Sequence, residues 1–243
     1  MFEDPKEIRS GTLTLIKTNN KYYGITCKHV IDLMKKKNEE VKLEFSKKFS
    51  LNIKDLENLK AFGLFTQTKN QLDLTSYKFF QPSSQYPDPN LDILITELDE
   101  NFVKVTNKEF IDLDKNDIVP NNLNYAIAVG YPENLKYRKK VGDNYYISMP
   151  HCTVIAELQG TPTRSFTLHS NIDKKIDRNF SGMSGGPIFW NQSINFNLLG
   201  IIYESPNNQQ NVFSENDIVI SGELATPNII KDWIKELFDN KTE

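Results

Sequence analysis

The sequence is poor in both cysteine and histidine, with 2 cysteines and 3 histidines among 243 residues. So few cysteines exclude a disulfide-stabilised scaffold and indicate a reducing compartment. We expect Cys27 and Cys152 to be free, buried thiols. The sequence also lacks a cluster of metal-ligand residues, and we expect neither a metal nor another cofactor.

The chain lacks a strong net charge and a long apolar run. Its net charge of -3 gives no general attraction to nucleic acid, and the basic runs 35–37 and 136–140 are interpreted as solvated loops. No apolar run approaches the roughly 20 residues of a membrane helix. Residues 1–6 show no secretory signal. We therefore expect a cytoplasmic protein with neither a membrane nor a nucleic-acid partner.

The most informative motif that is present is a serine among glycines, Gly-Met-Ser-Gly-Gly-Pro at residues 182–187. A serine hydroxyl attacks a carbonyl only when a base removes its proton and donors stabilise the developing oxyanion. Glycines allow a close turn that directs successive N–H groups to one point. The motif predicts Ser184 as a nucleophile, and a glycine-rich turn without chemistry is the alternative.

The scarcity of histidine limits the base to His29, His151 or His169. No histidine follows Ser184, which excludes the α/β-hydrolase order of serine, acid and histidine. The subtilisin order would use Asp92, His151 and Ser184, but it needs alternating strands and helices that the apolar pattern does not supply. The remaining order is a histidine, then an acid, then the serine.

Two candidate partners adjoin predicted strands. His29 follows the apolar segment 22–27, which is expected to form a hairpin with 11–17. Asp92 opens the apolar strand 93–98, where a carboxylate needs a hydrogen-bond partner that an imidazole N–H would provide. The competing acids, none of which begins such a strand, are Asp73, Asp88 and Asp99.

Three segments resemble the motifs of the trypsin-like serine peptidases, in a bacterial-type intracellular form. Residues 26–30, Thr-Cys-Lys-His-Val, resemble the T-A-A-H motif in its bacterial version ending in valine. Residues 92–95 resemble the D-I-A-L motif, and residues 182–187 resemble G-D-S-G-G-P. The three segments occur in the family's order along the chain.

The resemblance implies a role for each matched residue. His29 would act as general base and then general acid, Asp92 would orient it, and Ser184 would be the nucleophile. The N–H groups of Gly182 and Ser184 would form the oxyanion hole.

Two positions depart from the family's pattern. Lys28 stands beside the histidine where a small residue is common, and Met183 replaces the aspartate that captures a new N-terminus in secreted relatives. That activation switch is therefore absent, which leaves activation by a separate protein open. In the family, the positions that correspond to Arg178, Tyr203 and Glu204 line the substrate pocket. Arg178 would favour an acidic residue before the cut.

Short apolar segments separated by turn residues predict an all-β fold. The resemblance specifies two six-stranded antiparallel β-barrels of chymotrypsin type with a C-terminal α-helix. A helical turn is expected at 30–37, a helix at 53–62 and the closing helix at 226–238, with surface loops at 81–90 and 206–211. The predicted strands are 11–17, 22–27, 41–45, 62–66, 93–98, 124–130, 152–158, 165–168, 187–190, 198–203 and 217–221.

We therefore predict one peptidase domain, 1–243, with the first barrel over 1–115 and the second over 116–243. Its predicted activity is that of an intracellular serine endopeptidase that cleaves protein or peptide substrates through an acyl-enzyme. Two alternatives remain open. One is a catalytically inert binding module on a peptidase fold. The other is an effector in stress or phage defence that a partner protein activates.

Overall fold

The structure is a computed structural model of the chain. It describes residues 11–56, 64–65, 71–72, 77–83, 91–115, 119–141, 144–160, 162, 164–171, 180–191, 195–204 and 217–239. Within these ranges, no helix combines the length and the apolar character needed to cross a bilayer.

Most of the regular structure is β. In chain order, the elements are β1 (Thr14–Thr18), β2 (Lys21–Cys27), α1 (Lys28–Phe49), β3 (Leu64–Phe65), β4 (Gln71–Leu72), β5 (Ile93–Leu98), α2 (Glu100–Thr106), β6 (Ile111–Asp112), β7 (Tyr125–Gly130), β8 (Tyr137–Val141), β9 (Asn144–Ser148), β10 (Cys152–Gln159), β11 (Ser165–Asn171), β12 (Pro187–Asn191), β13 (Phe196–Glu204), β14 (Asp217–Leu224) and α3 (Pro227–Ile234). Short helical turns occur at Ile53–Leu56, Leu113–Lys115, Glu133–Leu135 and Lys235–Asp239.

The first half contains a four-stranded sheet in the order β5-β2-β1-β6. The predicted hairpin of β1 and β2 is confirmed, and Asn19 and Asn20 form its two-residue turn with φ values of 49° and 59°. Asparagine tolerates this left-handed backbone better than most residues do. β6 pairs with β1 in parallel, whereas the other neighbours are antiparallel.

The second half contains a closed barrel in the order β10-β11-β14-β13-β12-β7, in which every pairing is antiparallel. β10 shows how the strands contribute to the core of the barrel, because its residues alternate strictly between buried and exposed. The interior is apolar and includes Ala128, Leu168, Ile188 and Trp190. The prediction of a closed six-stranded barrel is confirmed here.

The described residues do not show the predicted second closed barrel. The four strands of the first half form an open sheet, and β3 and β4 pair separately as a two-stranded ladder. β6 is only two residues long and joins β1 in parallel, so the described strands do not complete a closed antiparallel ring. The predicted boundary between residues 115 and 116 stays a prediction.

The C-terminal helix α3 is confirmed, and it packs on the sheet of the first half. Ile230, Trp233 and Leu237 lie in one apolar cluster with Ile16 and Tyr23. Thr226 occupies the N-cap position but its side chain makes no capping hydrogen bond, while Pro227 begins the helix as expected. The end of the chain therefore covers the core of its beginning.

The prediction differs most from the structure at residues 28–49. A short helical turn and a strand at 41–45 were expected there, and the structure has the single 22-residue helix α1. Val41, Leu43 and Phe45 alternate as strand residues do, but Val41 is buried while Leu43 is 43% exposed. The surrounding lysines and glutamates favour a helix, and neither glycine nor proline interrupts them.

Other predictions fall partly outside the described residues. Of the expected helix at 53–62, only the turn Ile53–Leu56 is described, and the expected strand at 62–66 is seen as Leu64–Phe65. Of the loops predicted at 81–90 and 206–211, only residues 81–83 are described. α2 was not predicted, although Asp99 caps it by accepting a hydrogen bond from the N–H of Phe102 at 2.7 Å.

Candidate active site

Two successive turns shape the glycine-rich loop. The N–H of Met183 donates to the carbonyl oxygen of Phe180 at 3.1 Å, and the N–H of Gly186 donates to that of Met183 at 2.9 Å. Gly182 and Gly185 occupy the third position of these turns, with φ values of 93° and 88°. In turns of this kind the third residue has a left-handed backbone conformation, which glycine adopts most readily.

Met183 is the apolar anchor of this loop. Its side chain is fully buried in the core of the closed barrel. The packing is close, since a Cβ atom on Gly130 would lie 2.8 Å from Met183 Cβ. An aspartate at this position would need a charged partner, whereas methionine holds the loop by packing alone. The next residue, Ser184, remains partly exposed.

Some backbone N–H groups of the loop donate hydrogen bonds within the protein and others do not. The N–H groups of Met183, Gly185 and Gly186 each donate within the protein, and that of Gly185 reaches the carbonyl oxygen of Ile202 at 2.7 Å. In the described part of the chain, the N–H groups of Gly182 and Ser184 have no acceptor. These two donors flank the serine hydroxyl and are available to a ligand.

His29 and Asp92 are in direct contact. His29 Nδ1 hydrogen-bonds Asp92 Oδ2, and the backbone N–H of His29 donates to Asp92 Oδ1 at 3.0 Å. The side chains are 42% and 25% exposed respectively. An imidazole held at Nδ1 by a carboxylate presents Nε2 as the free ring nitrogen.

The strand pairing explains why these two residues meet. Cys27 at the end of β2 pairs with Ile93 at the start of β5, so the residues just beyond them share one end of the sheet. α1 begins at Lys28, and the first N–H groups of a helix lack acceptors within the helix. The carboxylate of Asp92 accepts one of them, the N–H of His29.

Lys28, the unusual neighbour of the histidine, is directed to Gln81. Lys28 Nζ donates to Gln81 Oε1 at 3.1 Å, and Gln81 Nε2 donates to the carbonyl oxygen of Leu91 at 2.6 Å. Gln81 thus connects the residue before His29 with the residue before Asp92. The sequence reasoning missed Gln81, since a glutamine in a polar segment carries no distinguishing signal.

Threonines of the first half hold the serine loop. The N–H of Thr12 donates to the carbonyl oxygen of Ser184 at 2.8 Å, and its hydroxyl donates to that of Gly182 at 3.0 Å. The hydroxyl of Thr14 donates to the carbonyl oxygen of Gly185 at 2.7 Å. The available signal was their spacing of two residues, which places both threonines on one face of a strand.

The serine hydroxyl itself is not joined to the histidine. In the described part of the chain, the side chain of Ser184 has no hydrogen-bond partner. The strand that precedes the histidine is connected to the serine loop by two hydrogen bonds. Thr26 donates its hydroxyl to the carbonyl oxygen of Thr12 at 2.8 Å, and the N–H of Thr12 donates to the carbonyl oxygen of Ser184 at 2.8 Å. In unliganded enzymes, catalytic hydrogen bonds are often long and tighten only around the substrate.

Both cysteines are free and buried, as predicted. Cys27 lies behind the histidine and donates its Sγ–H to the carbonyl oxygen of Ile202 at 3.2 Å. Burial raises the pKa of Cys27 well above its usual range, and the Asp92 carboxylate raises it further. A thiol held protonated is a poor nucleophile, so cysteine chemistry is not supported at this site.

Cys27, His29 and Asp92 place their ligand atoms within 4.8 Å of one another. The three donor types are those that zinc binds. Each of them already has a hydrogen-bond partner within the protein, and the buried thiol is protonated. The expectation that this site needs no metal stays a prediction.

The remaining candidates lie elsewhere or outside the described residues. Arg178 is outside them, and Tyr203 and Glu204 are at the end of β13, so the proposed pocket stays a prediction. His169 Nε2 hydrogen-bonds Asp217 Oδ1 at 3.1 Å between β11 and β14. His151 is exposed just before β10.

Comparisons with known proteins give only distant likenesses. No family model and no curated protein matches the chain. A structure from work on aromatic interactions in the coupled folding and binding of the intrinsically disordered Sesbania mosaic virus VPg protein is 11% identical, with a TM-score of 0.45. The match covers 94% of this chain and 82% of that one. A thermostable serine protease from an extremophilic microorganism is 10% identical, with a TM-score of 0.46, and coverage of 92% and 88%. Activity therefore has to be argued from the residues themselves.

Proposed function

We propose that this protein is a serine endopeptidase with a chymotrypsin-type arrangement of His29, Asp92 and Ser184. The observation that carries the proposal is the hydrogen bond between His29 Nδ1 and Asp92 Oδ2. It fixes the imidazole of a partly exposed histidine with one ring nitrogen free. The same carboxylate is fixed in turn by the backbone N–H of His29.

The chemistry follows from these positions. Ser184 Oγ attacks the carbonyl carbon of the substrate while His29 Nε2 takes the hydroxyl proton. The negative charge moves to the carbonyl oxygen, where the N–H groups of Gly182 and Ser184 are the available donors. His29 then gives its proton to the leaving amine, and an acyl-enzyme remains. Water, deprotonated by His29, attacks the ester and releases the acid.

The substrate and setting belong to the same proposal. We propose a protein or peptide substrate for the partly exposed Ser184, and Arg178, Tyr203 and Glu204 are the proposed pocket residues. Two free, buried thiols support a reducing, cytoplasmic setting. Met183 is packed in the core at the position where secreted relatives have an aspartate. Methionine has no carboxylate to bind a new N-terminus released by proteolysis. A separate activating protein is part of the proposal.

A fluorophosphonate probe tests the proposal, because it phosphonylates a serine only where a base and an oxyanion site are assembled. We expect the label on Ser184, identified by mass spectrometry, and its loss in S184A and H29A. S181A is the matched control, since it removes a hydroxyl three residues away in the same loop. It should keep the label. A folded protein that takes no label would contradict the proposal and support either the inert binding module or the effector that a partner protein activates.

A further inference from the structure

The orientation of one peptide group decides whether Gly182 offers a donor to the substrate. The carbonyl oxygen of Ser181 and the N–H of Gly182 belong to the same planar trans peptide, so they point in opposite directions. Whatever holds the Ser181 oxygen therefore also aims the Gly182 N–H. This peptide lies at the centre of the turn closed between Phe180 and Met183.

A turn of this kind has two forms that differ by rotation of the central peptide. In the type II form, the third residue has φ near +80°, whereas in the type I form φ is about -90°. Gly182 has φ of 93°, and Ser181 is not among the described residues with positive φ, which fits type II. Glycine accepts both forms, so its own conformational preference does not select between them.

Glu133 contacts this peptide from the loop after β7. Its backbone N–H donates to the carbonyl oxygen of Ser181 at 2.7 Å, and its carboxylate accepts a hydrogen bond from Ser181 Oγ at 3.2 Å. Glu133 begins the short helical turn Glu133–Leu135, so its N–H is not needed within that turn. The turn is closed by the N–H of Lys136, which donates to the carbonyl oxygen of Glu133 at 3.1 Å.

We propose that Glu133 is a positioning residue for the oxyanion hole. Its backbone N–H holds the Ser181–Gly182 peptide in the type II orientation, which leaves the Gly182 N–H free for the substrate oxyanion. The inference rests on the proposed serine peptidase function. In this inference the backbone N–H of Glu133, which lies outside the triad, keeps the N–H of Gly182 directed at the substrate oxyanion.

Glu133→Pro removes this N–H with little other disturbance. The preceding residue, Pro132, has φ of -58° and ψ of 140°, which is the extended backbone that a following proline requires. The first position of a helical turn also tolerates proline. Glu133→Ala is the matched variant, because it loses the carboxylate but keeps the N–H. The ratio of the two labelling rates isolates the contribution of the N–H.

The measurement is the second-order rate of fluorophosphonate labelling at Ser184 across a range of pH. We expect E133P to react about tenfold more slowly than E133A at every pH, the effect of losing about one net hydrogen bond. The pH at which the rate rises should be the same in both variants, since His29 and Asp92 are untouched. A general loosening of the site would move that pH as well.

Equal rates in E133P and E133A, or a slower rate accompanied by a shifted pH profile, would overturn the inference while leaving the peptidase proposal intact. Absence of label in the folded wild-type protein would overturn both. If circular dichroism shows that E133P does not fold, an ester in place of the amide before residue 133 removes the same N–H without a ring. The same tenfold slowing is expected of it.

Discussion

The backbone N–H of Thr12 donates a 2.8 Å hydrogen bond to the carbonyl oxygen of Ser184, from the segment before the first strand to the loop of the candidate nucleophile. The hydroxyl of the same threonine donates to the carbonyl oxygen of Gly182 and accepts from the N–H of Tyr131. One buried side chain therefore joins the open sheet, the closed barrel and the serine loop. The histidine and the serine come from different halves, so this junction determines whether they can cooperate.

Replacement of Thr12 by valine should weaken both stability and reactivity. Valine has the same shape but lacks the hydroxyl, which leaves the carbonyl oxygen of Gly182 and the N–H of Tyr131 without this partner. We expect a loss of about 1–3 kcal/mol in the free energy of unfolding and slower labelling of Ser184. Urea denaturation and the probe measure the two effects. T12S, which keeps the hydroxyl, should lie closer to wild type, and a T12V protein that matches wild type in both would refute this role.

Asp92→Asn should leave the fold intact and suppress the chemistry. The amide has the shape of the carboxylate but does not hold His29 in the required tautomer, so we expect a loss on the order of 10⁴ in the labelling rate. D99N is the matched control among the acids that competed in the sequence. Asp99 caps α2 and accepts a hydrogen bond from Tyr77 Oη, so its replacement should lower stability and spare reactivity. The opposite pattern would move the acid of the triad to Asp99.

Gly185→Ala should be far more damaging than Gly160→Ala, although both glycines have positive φ, 88° and 75°. An alanine in the left-handed region costs roughly 1–2 kcal/mol by itself. A Cβ on Gly160 would meet nothing within 4 Å, whereas a Cβ on Gly185 would collide with the carbonyl oxygen of Thr12 and lie 3.1 Å from Thr26 Cα. Denaturation midpoints of the two variants separate backbone strain from steric conflict. Similar midpoints would show that the loop can move away from Thr12.

Lys136→Met should stabilise the protein, and the gain should depend on pH. Burial lowers the pKa of Lys136 to about 8 from 10.5, against the opposing effect of the Glu133 carboxylate, and Nζ has no hydrogen-bond partner among the described residues. A lysine whose pKa is lower in the folded state costs stability wherever the unfolded chain carries the charge. The cost is complete below about pH 8 and disappears as the pH rises to 10.5.

We therefore expect K136M to gain about 3 kcal/mol at neutral pH, with the gain declining between pH 8 and pH 10.5. Urea denaturation at several pH values measures it. K104M is the control, because Lys104 is 74% exposed and pairs with Glu100 on the surface, so no such trend should appear. A gain that is constant with pH would mean that packing, and not the buried charge, is responsible.

The sequence was sufficient to find the candidate triad because its chemistry is carried by residue types and order. With none of the three histidines after Ser184, elimination left the order histidine, acid, serine. His29 and Asp92 were candidates because they adjoin apolar strands, and the resemblance to the peptidase motifs implied their roles. The alternation of β10 and the apolar stripe of α3 were likewise visible as periodicities. These signals can be read from the sequence because each depends on neighbouring residues, or on a residue type so rare that every candidate can be considered in turn.

The parts that the sequence did not predict depend on contacts between distant segments. Thr12, Gln81 and Glu133 have ordinary residue types, and their importance comes from the carbonyl groups that they hold. The alternation of Val41 and Leu43 suggested a strand, but the helix-favouring residues around them decided the outcome. The strand order of the first sheet was also not readable from the sequence, because it depends on which strands pair and not on how many apolar segments exist.

Gly185 and His29 are under different kinds of selection, the first for the fold and the second for the proposed chemistry. The close packing of Gly185 against Thr12 and Thr26 demands glycine for the fold alone, whereas His29 is demanded only by the proposed chemistry. A descendant that gave up catalysis would keep the glycine-rich loop and exchange the histidine freely. Sequence drift at position 29, and not the survival of the loop, would then mark the lineages in which this fold serves another purpose.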